Sequence, residues 1–357
     1  MANIPQIDFL STRELSQVFN KTTTTYKFYW FLSLLQMFNE EGRYRMSVWE
    51  VVVRMVANAW YPVQYFRLSF GASDMLPAIV RELQWKTALP MDASRKDIVD
   101  CLMQHLADKE VKAELAKLTN HVPYRFLSPW INYTKDSDVI ERSHTYENGC
   151  LCSLQKTDNE LYVTLNPVWT KYLQDYYGIL TDFTNWNLTL YLQQRNPSIP
   201  NLPNKLQKPV ERTSLIKQRK FWDDVIKIGG NVHCIYTGKE IHVGGYEVDH
   251  FLPWSFVAHD QLWNLMPADS SINSSKSAKL PPLDLYLQKM AEEHRKAIKV
   301  YLEAGKKETV LDDFSSLGYT PRDLLKLNRE AFLAAYQQTF TPLFQIAQNM
   351  GYEVWKV

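Results

Sequence analysis

Two long apolar segments near the start of the chain constrain the fold most. Residues 25–38 (TYKFYWFLSLLQMF) and 47–60 (SVWEVVVRMVANAW) are apolar nearly all round, which is typical of helices buried on every side. Ser47 is the predicted N-cap of the second helix, where Glu50 completes a capping box, and Pro62 is predicted to end that helix. Both segments are too short or too polar to span a bilayer. The first part of the chain must therefore supply a sizeable helical core around them.

The remaining patterns predict a mainly helical protein with little sheet. Residues 94–119 alternate charged and apolar positions at helical spacing, which predicts two amphipathic helices opened by a serine. Residues 145–167 contain two short β-prone runs around the turn signal Asp158-Asn159, which predicts a small hairpin. Residues 283–305 and 321–350 again have helical patterns.

A proline-rich stretch, NPSIPNLPNKLQKP at residues 196–209, is the best domain boundary in the chain. We therefore expect an α+β fold that is mainly α. A mostly helical N-terminal domain with a small β-hairpin occupies residues 1–200, a small α+β core occupies 211–282, and a helical C-terminal extension over 283–357 packs on that core.

Charge and cysteine content constrain the surfaces that could bind nucleic acid and the cellular compartment of the protein. Lys and Arg number 40 and Asp and Glu number 39, so any nucleic-acid surface must be a local patch. The four cysteines form no C-x-x-C pair, which disfavours a four-cysteine zinc site and, in a chain this long, a disulfide scaffold. Since the first residues show no signal-peptide pattern and no segment suits a membrane, a cytoplasmic protein is expected.

One locally basic segment could contact nucleic acid. Residues 211–228 are predicted to form a helix that ends at Gly229-Gly230, and this helix carries Lys217, Arg219 and Lys220. These side chains are candidates for contacts with a phosphate backbone, which need no sequence-specific geometry. The alternative is an ordinary solvated helix face.

The segment that carries chemistry is residues 234–281. YEVDHF predicts a short strand that ends in the pair Asp249-His250, and residues 262–266 predict a second strand after a polar loop. Ser270 or Ser271 is the predicted cap of a helix on which Asn273 and Lys276 share a face, because they are three residues apart. The predicted order is strand, loop, strand, helix.

These side chains match the needs of phosphodiester hydrolysis. A hard cation takes oxygen ligands, which Asp249 and Asn273 offer as a carboxylate and an amide. The attacking water needs a base that is neutral near pH 7, and the imidazole of His250 suits this role because the ordinary pKa of histidine is about 6.5. Asn264 could hold that base in orientation through hydrogen bonds.

The phosphate also needs a cation, which Lys276 or Lys279 can supply. For Lys276, the alternative is an ordinary solvated helix face.

Taken together, residues 234–281 resemble the HNH endonucleases, which have a ββα-metal fold. The motifs C-x-Y-T-G-K-x-I, V-D-H-x-x-P-x-S, W-N-L and N-x-x-K-S occur in order and are most similar to the variant whose last metal ligand is Asn, as in the HNH domain of RNA-guided CRISPR nucleases. The resemblance implies that His250 is the general base, that Asp249 and Asn273 bind one Mg²⁺ or Mn²⁺ ion, and that Asn264 orients the catalytic loop. It assigns Lys276 to phosphate or to the helix–loop junction.

Many HNH proteins add two zinc-binding C-x-x-C knuckles, whereas this chain has only Cys234 in that region. We therefore expect no structural zinc. The fold of the segment is instead expected to depend on packing of Tyr236, Ile241, Phe251, Trp254, Trp263 and Leu265.

The resemblance implies a metal-dependent endonuclease that hydrolyses DNA in a bacterial restriction, phage-defence or mobile-element system. Residues 1–200 resemble no family that we recognise; they would read DNA, bind a protein partner or hold the nuclease inactive. Two alternatives stay open. One is a nucleic-acid-binding or interaction protein whose ββα domain does not cleave, and the other is an RNA-directed nuclease.

Overall fold

The computed structural model describes residues 4–158, 160–208 and 214–356. The chain forms two compact units, Met1–Pro197 with Leu202–Lys208, and Ser198–Asn201 with Pro209–Val357. Helices make up 59% of the structure and the strands form small antiparallel sheets. The predicted α+β class, mainly α, is confirmed.

The first unit is built from helices around a large apolar core. Its α-helices are α1 (Thr12–Ser16), α2 (Tyr26–Glu41), α3 (Val48–Gln64), α4 (Leu76–Thr87), α5 (Arg95–Gln104), α6 (Lys109–Thr119), α7 (Val122–Phe126), α8 (Asp136–His144), α9 (Thr170–Asp175) and α10 (Tyr177–Gln193). Short 3-10 turns occupy His105–Ala107, Glu147–Gly149, Pro167–Trp169 and Leu202–Lys205.

The two apolar segments form the buried helices α2 and α3, as predicted. Trp30 and Trp60 are fully buried, and the capping box of Ser47 and Glu50 is present at the start of α3. The prediction that Pro62 ends α3 is wrong, since the helix continues to Gln64. A proline in the last turn removes a single amide donor, and the turn closes because the Tyr65 N–H still donates to the Tyr61 carbonyl at 3.0 Å.

The small sheet of the first unit has strand order β1-β3-β2, all antiparallel, with β1 at Arg45–Ser47, β2 at Cys152–Thr157 and β3 at Glu160–Leu165. Strands β2 and β3 are the predicted hairpin. Asp158 has a positive φ of 51°, which a turn Asp tolerates, while its neighbour Asn159 lies outside the described residues. The third strand, β1, was not anticipated. The predicted pair of amphipathic helices is also present as α5 and α6, and Ser94 caps the first of them.

The second unit contains strands β4 (Glu247–His250) and β5 (Leu265–Ala268), which pair antiparallel. Its α-helices are α11 (Ile216–Lys227), α12 (Trp254–Val257), α13 (Ser270–Lys276), α14 (Leu283–Glu303), α15 (Pro321–Lys326) and α16 (Arg329–Asn349), with 3-10 segments at Leu262–Asn264 and Glu308–Leu317. Helix α11 stops where predicted, and Gly229 follows it with a φ of +98°.

One apolar core runs through this unit, from Phe221 on α11 to Trp355 near the C-terminus. His294 of α14 connects its parts. Its Nδ1 lies 2.9 Å from the Tyr336 hydroxyl on α16 and its Nε2 lies 3.1 Å from the Leu265 carbonyl on β5. Burial lowers the pKa of His294 to about 4, so this imidazole is neutral and ties α14 and α16 to strand β5. Within the described residues, no helix is long and apolar enough to cross a membrane.

Candidate active site

The β4–β5 pair positions the Asp249-His250 dipeptide at the end of a strand. Asp249 lies opposite Met266 and His250 opposite Leu265. Two local predictions are corrected. Residues 262–264 form a 3-10 turn, so the second strand begins at Leu265 and not at Leu262.

The helix that follows β5 is capped by Asp269 and not by Ser270 or Ser271. The Asp269 carboxylate accepts the Ser271 N–H at 3.0 Å, because a carboxylate one position earlier reaches the free amide groups of the first turn.

Asn264 is fully buried, and its side-chain amide binds both backbone groups of a residue in the loop after His250. Its Oδ1 accepts the Leu252 N–H at 2.8 Å, and its Nδ2 donates to the Leu252 carbonyl at 2.9 Å. The backbone carbonyl of Asn264 also accepts the Phe251 N–H at 2.8 Å. The backbone that follows His250 is thereby fixed by three hydrogen bonds from one residue. This geometry is what an orienting role for Asn264 requires.

Asp249 is only 3% exposed and both of its oxygens have partners. Oδ1 lies 3.1 Å from Lys276 Nζ, and Oδ2 accepts the Tyr236 hydroxyl at 2.7 Å. Burial raises the pKa of Asp249, while the Lys276 charge and the Tyr236 hydrogen bond oppose that rise. The pKa of Tyr236 is raised by burial and by the nearby carboxylate, so its hydroxyl stays a donor. Both carboxylate oxygens of Asp249 are thus fixed in position, one by Lys276 and the other by Tyr236.

Lys276 is completely buried, which makes the solvated-face alternative wrong for this residue. Its Nζ donates to the His250 carbonyl at 2.8 Å in addition to its ion pair with Asp249. The ammonium therefore joins α13 to the end of β4, at the helix–loop junction. A phosphate contact by Lys276 does not fit this arrangement, because the ammonium is enclosed by protein and already balanced by a carboxylate.

His250 is held by a carboxylate that the sequence patterns did not single out. Its Nε2 lies 2.8 Å from Asp260 Oδ1, and both side chains are mostly buried. The other ring nitrogen, Nδ1, has no partner among the described residues. Asp260 is visible in the sequence only as one polar residue in the loop between the strands, and nothing in its spacing from His250 indicates a contact.

Asn273 lies on the half-buried face of α13, and its side-chain amide has no hydrogen-bond partner among the described residues. Across residues 4–158, 160–208 and 214–356, no three His, Cys, Asp or Glu side chains lie close enough together to hold a metal ion. Asp249 and Asn273 still fit a hard cation by donor chemistry, since each oxygen of Asp249 accepts one hydrogen bond and keeps a lone pair.

The predicted surface cations behave differently from one another. Lys217, Lys220 and Lys279 are exposed and have no ion pair within the described residues. Arg219 instead donates to the Tyr246 carbonyl at 2.8 Å and pairs with Glu247 at 3.2 Å, so its guanidinium is already engaged.

Comparison with known proteins assigns the segment that contains this site to a family. Residues 234–282 match the family model of the HNH endonucleases, whereas the N-terminal region has no family match. No curated protein and no solved structure matches the chain. The second unit therefore contains an HNH endonuclease domain, which indicates nuclease activity and implies a nucleic-acid substrate. Nucleases of this class usually use a divalent metal ion.

Proposed function

We propose that the protein is a divalent-metal-dependent endonuclease that hydrolyses phosphodiester bonds in DNA. The observation that carries this proposal is the match of residues 234–282 to the HNH endonucleases, together with the ββα unit whose elements and connecting loop carry Asp249, His250, Asn264 and Asn273. Asn264 and Lys276 stabilise this unit through their hydrogen bonds to the backbone of Leu252 and to the His250 carbonyl.

His250 acts as the general base through Nδ1. Because Nε2 faces the Asp260 carboxylate at 2.8 Å, the proton of the neutral imidazole lies on Nε2 and the lone pair on Nδ1 is left to accept a proton from water. Asp260 is a positioning residue, since it selects this tautomer and stabilises the imidazolium that forms.

Asp249 and Asn273 would hold a Mg²⁺ or Mn²⁺ ion. When bound, such an ion supplies Lewis-acid stabilisation of the phosphate and of the leaving oxygen. The protein contributes the fixed carboxylate, held by Tyr236 and Lys276, and the fixed backbone after His250, held by Asn264. Lys217, Lys220 and Lys279 are available to bind backbone phosphates.

We also propose that the protein acts in the bacterial cytoplasm, as part of a restriction, phage-defence or mobile-element system. All four cysteines are free thiols, which is consistent with a reducing compartment. The defence setting rests only on analogy with other HNH proteins.

The test is cleavage of supercoiled plasmid with Mg²⁺, with Mn²⁺ and with EDTA, beside His250→Ala. Conversion to nicked or linear plasmid only with metal and only by the natural protein supports the proposal. Equal cleavage by His250→Ala contradicts the assignment of the base. A parallel reaction in which RNA competes with DNA separates the RNA-directed alternative.

Asp260→Asn tests the positioning role. We expect kcat to fall about 10- to 100-fold with little change in KM, the range seen when the partner that orients a metal-binding histidine is removed. Asp260→Glu should restore part of kcat. A rise in KM with an unchanged kcat would contradict the role.

A second function has one observation in its favour. The ion pair between Asp249 and Lys276 already neutralises the carboxylate that a metal would use. A ββα domain that binds nucleic acid without cleaving it would show DNA binding independent of metal and no nicking with any divalent ion.

A further inference from the structure

The first unit contains a cavity of about 720 Å³ whose charged side chains are all basic. It lies between the segment Lys21–Lys27, which leads into α2, and the segment 117–128, which spans the end of α6 and all of α7. Lys21, Lys27, Lys117 and Arg125 line it together with the imidazole of His121. None of the residues that line this cavity is Asp or Glu.

A second cavity of the same unit shows why this is unusual. That cavity, of about 490 Å³, also has several arginines, but each of its main cations faces a glutamate. Arg43 lies 2.6 Å from Glu50, Arg95 lies 2.8 Å from Glu40 and Arg54 lies 3.6 Å from Glu40. Its charges are therefore balanced within the protein.

The cations of the larger cavity mostly lack such partners. Within the described residues, Lys21 and Arg125 have no ion pair or side-chain hydrogen bond, and only Lys117 is paired, with Glu114 at 2.6 Å. Lys27 donates to two neutral oxygens, the Val18 carbonyl at 3.2 Å and the Ser128 hydroxyl at 3.3 Å.

The charge of Lys27 is held at a cost. Burial, together with the nearby guanidinium of Arg125, lowers the pKa of Lys27 to about 8. Lys27 and Arg125 therefore line one cavity and repel each other, and the lining supplies no counter-charge.

The cavity also meets the positive end of a helix. Tyr26 and Lys27 are the first residues of the 16-residue helix α2, and the hydroxyls of Thr22, Thr23 and Thr24 precede them along the lining. Asp74 contacts Thr25, the residue that precedes this helix, and accepts its hydroxyl at 2.8 Å. It is buried and accepts the N–H groups of Thr25 at 2.6 Å and Leu76 at 2.9 Å, and it does not line the cavity.

We propose that this cavity binds a small molecule that bears phosphate groups and has the size of a nucleotide. Unpaired cations, hydroxyl donors and a helix N-terminus are the groups that bind phosphate, and a cavity of this volume is within the range of small-molecule sites. A nucleic-acid strand is disfavoured as the occupant because it needs a basic groove that continues along the backbone. All lining residues belong to the first unit, so the inference does not depend on the nuclease activity.

The test is isothermal titration calorimetry of the full-length protein in EDTA. The probes are the four ribonucleoside triphosphates, inorganic triphosphate, adenosine, and a ten-nucleotide single-stranded DNA without terminal phosphate. We expect saturable 1:1 binding of at least one triphosphate and none of adenosine.

The double variant Lys21→Gln/Arg125→Gln should raise the Kd of that triphosphate about tenfold or more, because it removes two charged contacts. The matched control is Arg81→Gln/Lys109→Gln, which removes the same charge from exposed residues of the first unit that do not line the cavity. It should leave the Kd unchanged.

Three results would overturn the proposal. The first is that no triphosphate binds saturably. The second is that both double variants raise the Kd of the triphosphate equally. The third is that the oligonucleotide binds more tightly than any triphosphate and that only the cavity variant weakens its binding. The last result would assign the cavity to a nucleic-acid path.

Discussion

Replacing Asn264 by Ala is the sharpest test of the catalytic loop. The side chain makes two hydrogen bonds, and both end on the backbone of one residue, Leu252. Leu252 is fully buried, so Ala at position 264 leaves its N–H and its carbonyl without partners in the interior. A buried polar group left unsatisfied costs roughly 1–3 kcal/mol. For the pair we expect a local destabilisation of about 2–4 kcal/mol, the lower end applying if a water enters the space.

Hydrogen exchange measures this loss at the loop itself. Pro253 has no amide proton, so exchange within residues 251–253 comes only from Phe251 and Leu252, and both amides donate to Asn264. A loss of about 2–4 kcal/mol corresponds to about 30- to 1,000-fold faster exchange of the Leu252 amide. Plasmid cleavage should fall with it, because the backbone after His250 is no longer held.

The control is Asn273→Ala, which removes an amide that has no hydrogen-bond partner among the described residues. It should abolish cleavage if Asn273 is a metal ligand, while exchange at residues 251–253 stays unchanged. The reasoning is refuted if Asn264→Ala changes exchange at Leu252 by less than about threefold, since the two hydrogen bonds would then contribute little.

Two further predictions concern buried charges of the second unit. Lys276→Met should destabilise this unit by about 3–5 kcal/mol, because it leaves Asp249 buried without its counter-charge. The double variant Lys276→Met/Asp249→Asn should recover much of that stability. The measurement is denaturant unfolding followed by hydrogen exchange of second-unit peptides, and additive effects of the two substitutions would contradict the pairing. The pKa of His294 is lowered to about 4 in the folded protein from an ordinary 6.5, so the unfolded state takes up a proton first as pH falls. Stability is therefore lost between pH 6.5 and 4, by about 1.5 kcal/mol between pH 6.5 and 5.0, and His294→Gln should remove this part of the slope in unfolding curves measured at both pH values.

Local features of the fold were predictable from local patterns. The buried helices over 25–38 and 47–60, the capping box at Ser47 and the hairpin over 145–167 all depend on residues within a few positions of one another. The errors are also local. Pro62 was expected to end a helix that in fact tolerates it in the last turn, and the three-residue strand Arg45–Ser47 is too short to have a pattern of its own.

The candidate site was predictable as a set of residues and not as a set of contacts. Spacing indicated that Asp249, His250 and Asn273 belong to one strand–loop–helix unit, and the structure has that unit. The spacing could not indicate that Lys276 is buried against Asp249, because helical spacing alone does not say which face of a helix is enclosed.

The sequence by itself determined the two buried helices, the capping box at Ser47, the hairpin and the HNH motif, because periodicity, capping and motif spacing act over short distances along the chain. The tertiary structure alone decided which charges meet. It brings Asp260 to His250 through the path of a loop, and it brings Lys21 and Arg125 to one cavity from segments about a hundred positions apart. The physical reason is that the energy of a charge depends on its burial and on its partners in space, and neither is written in the order of the residues.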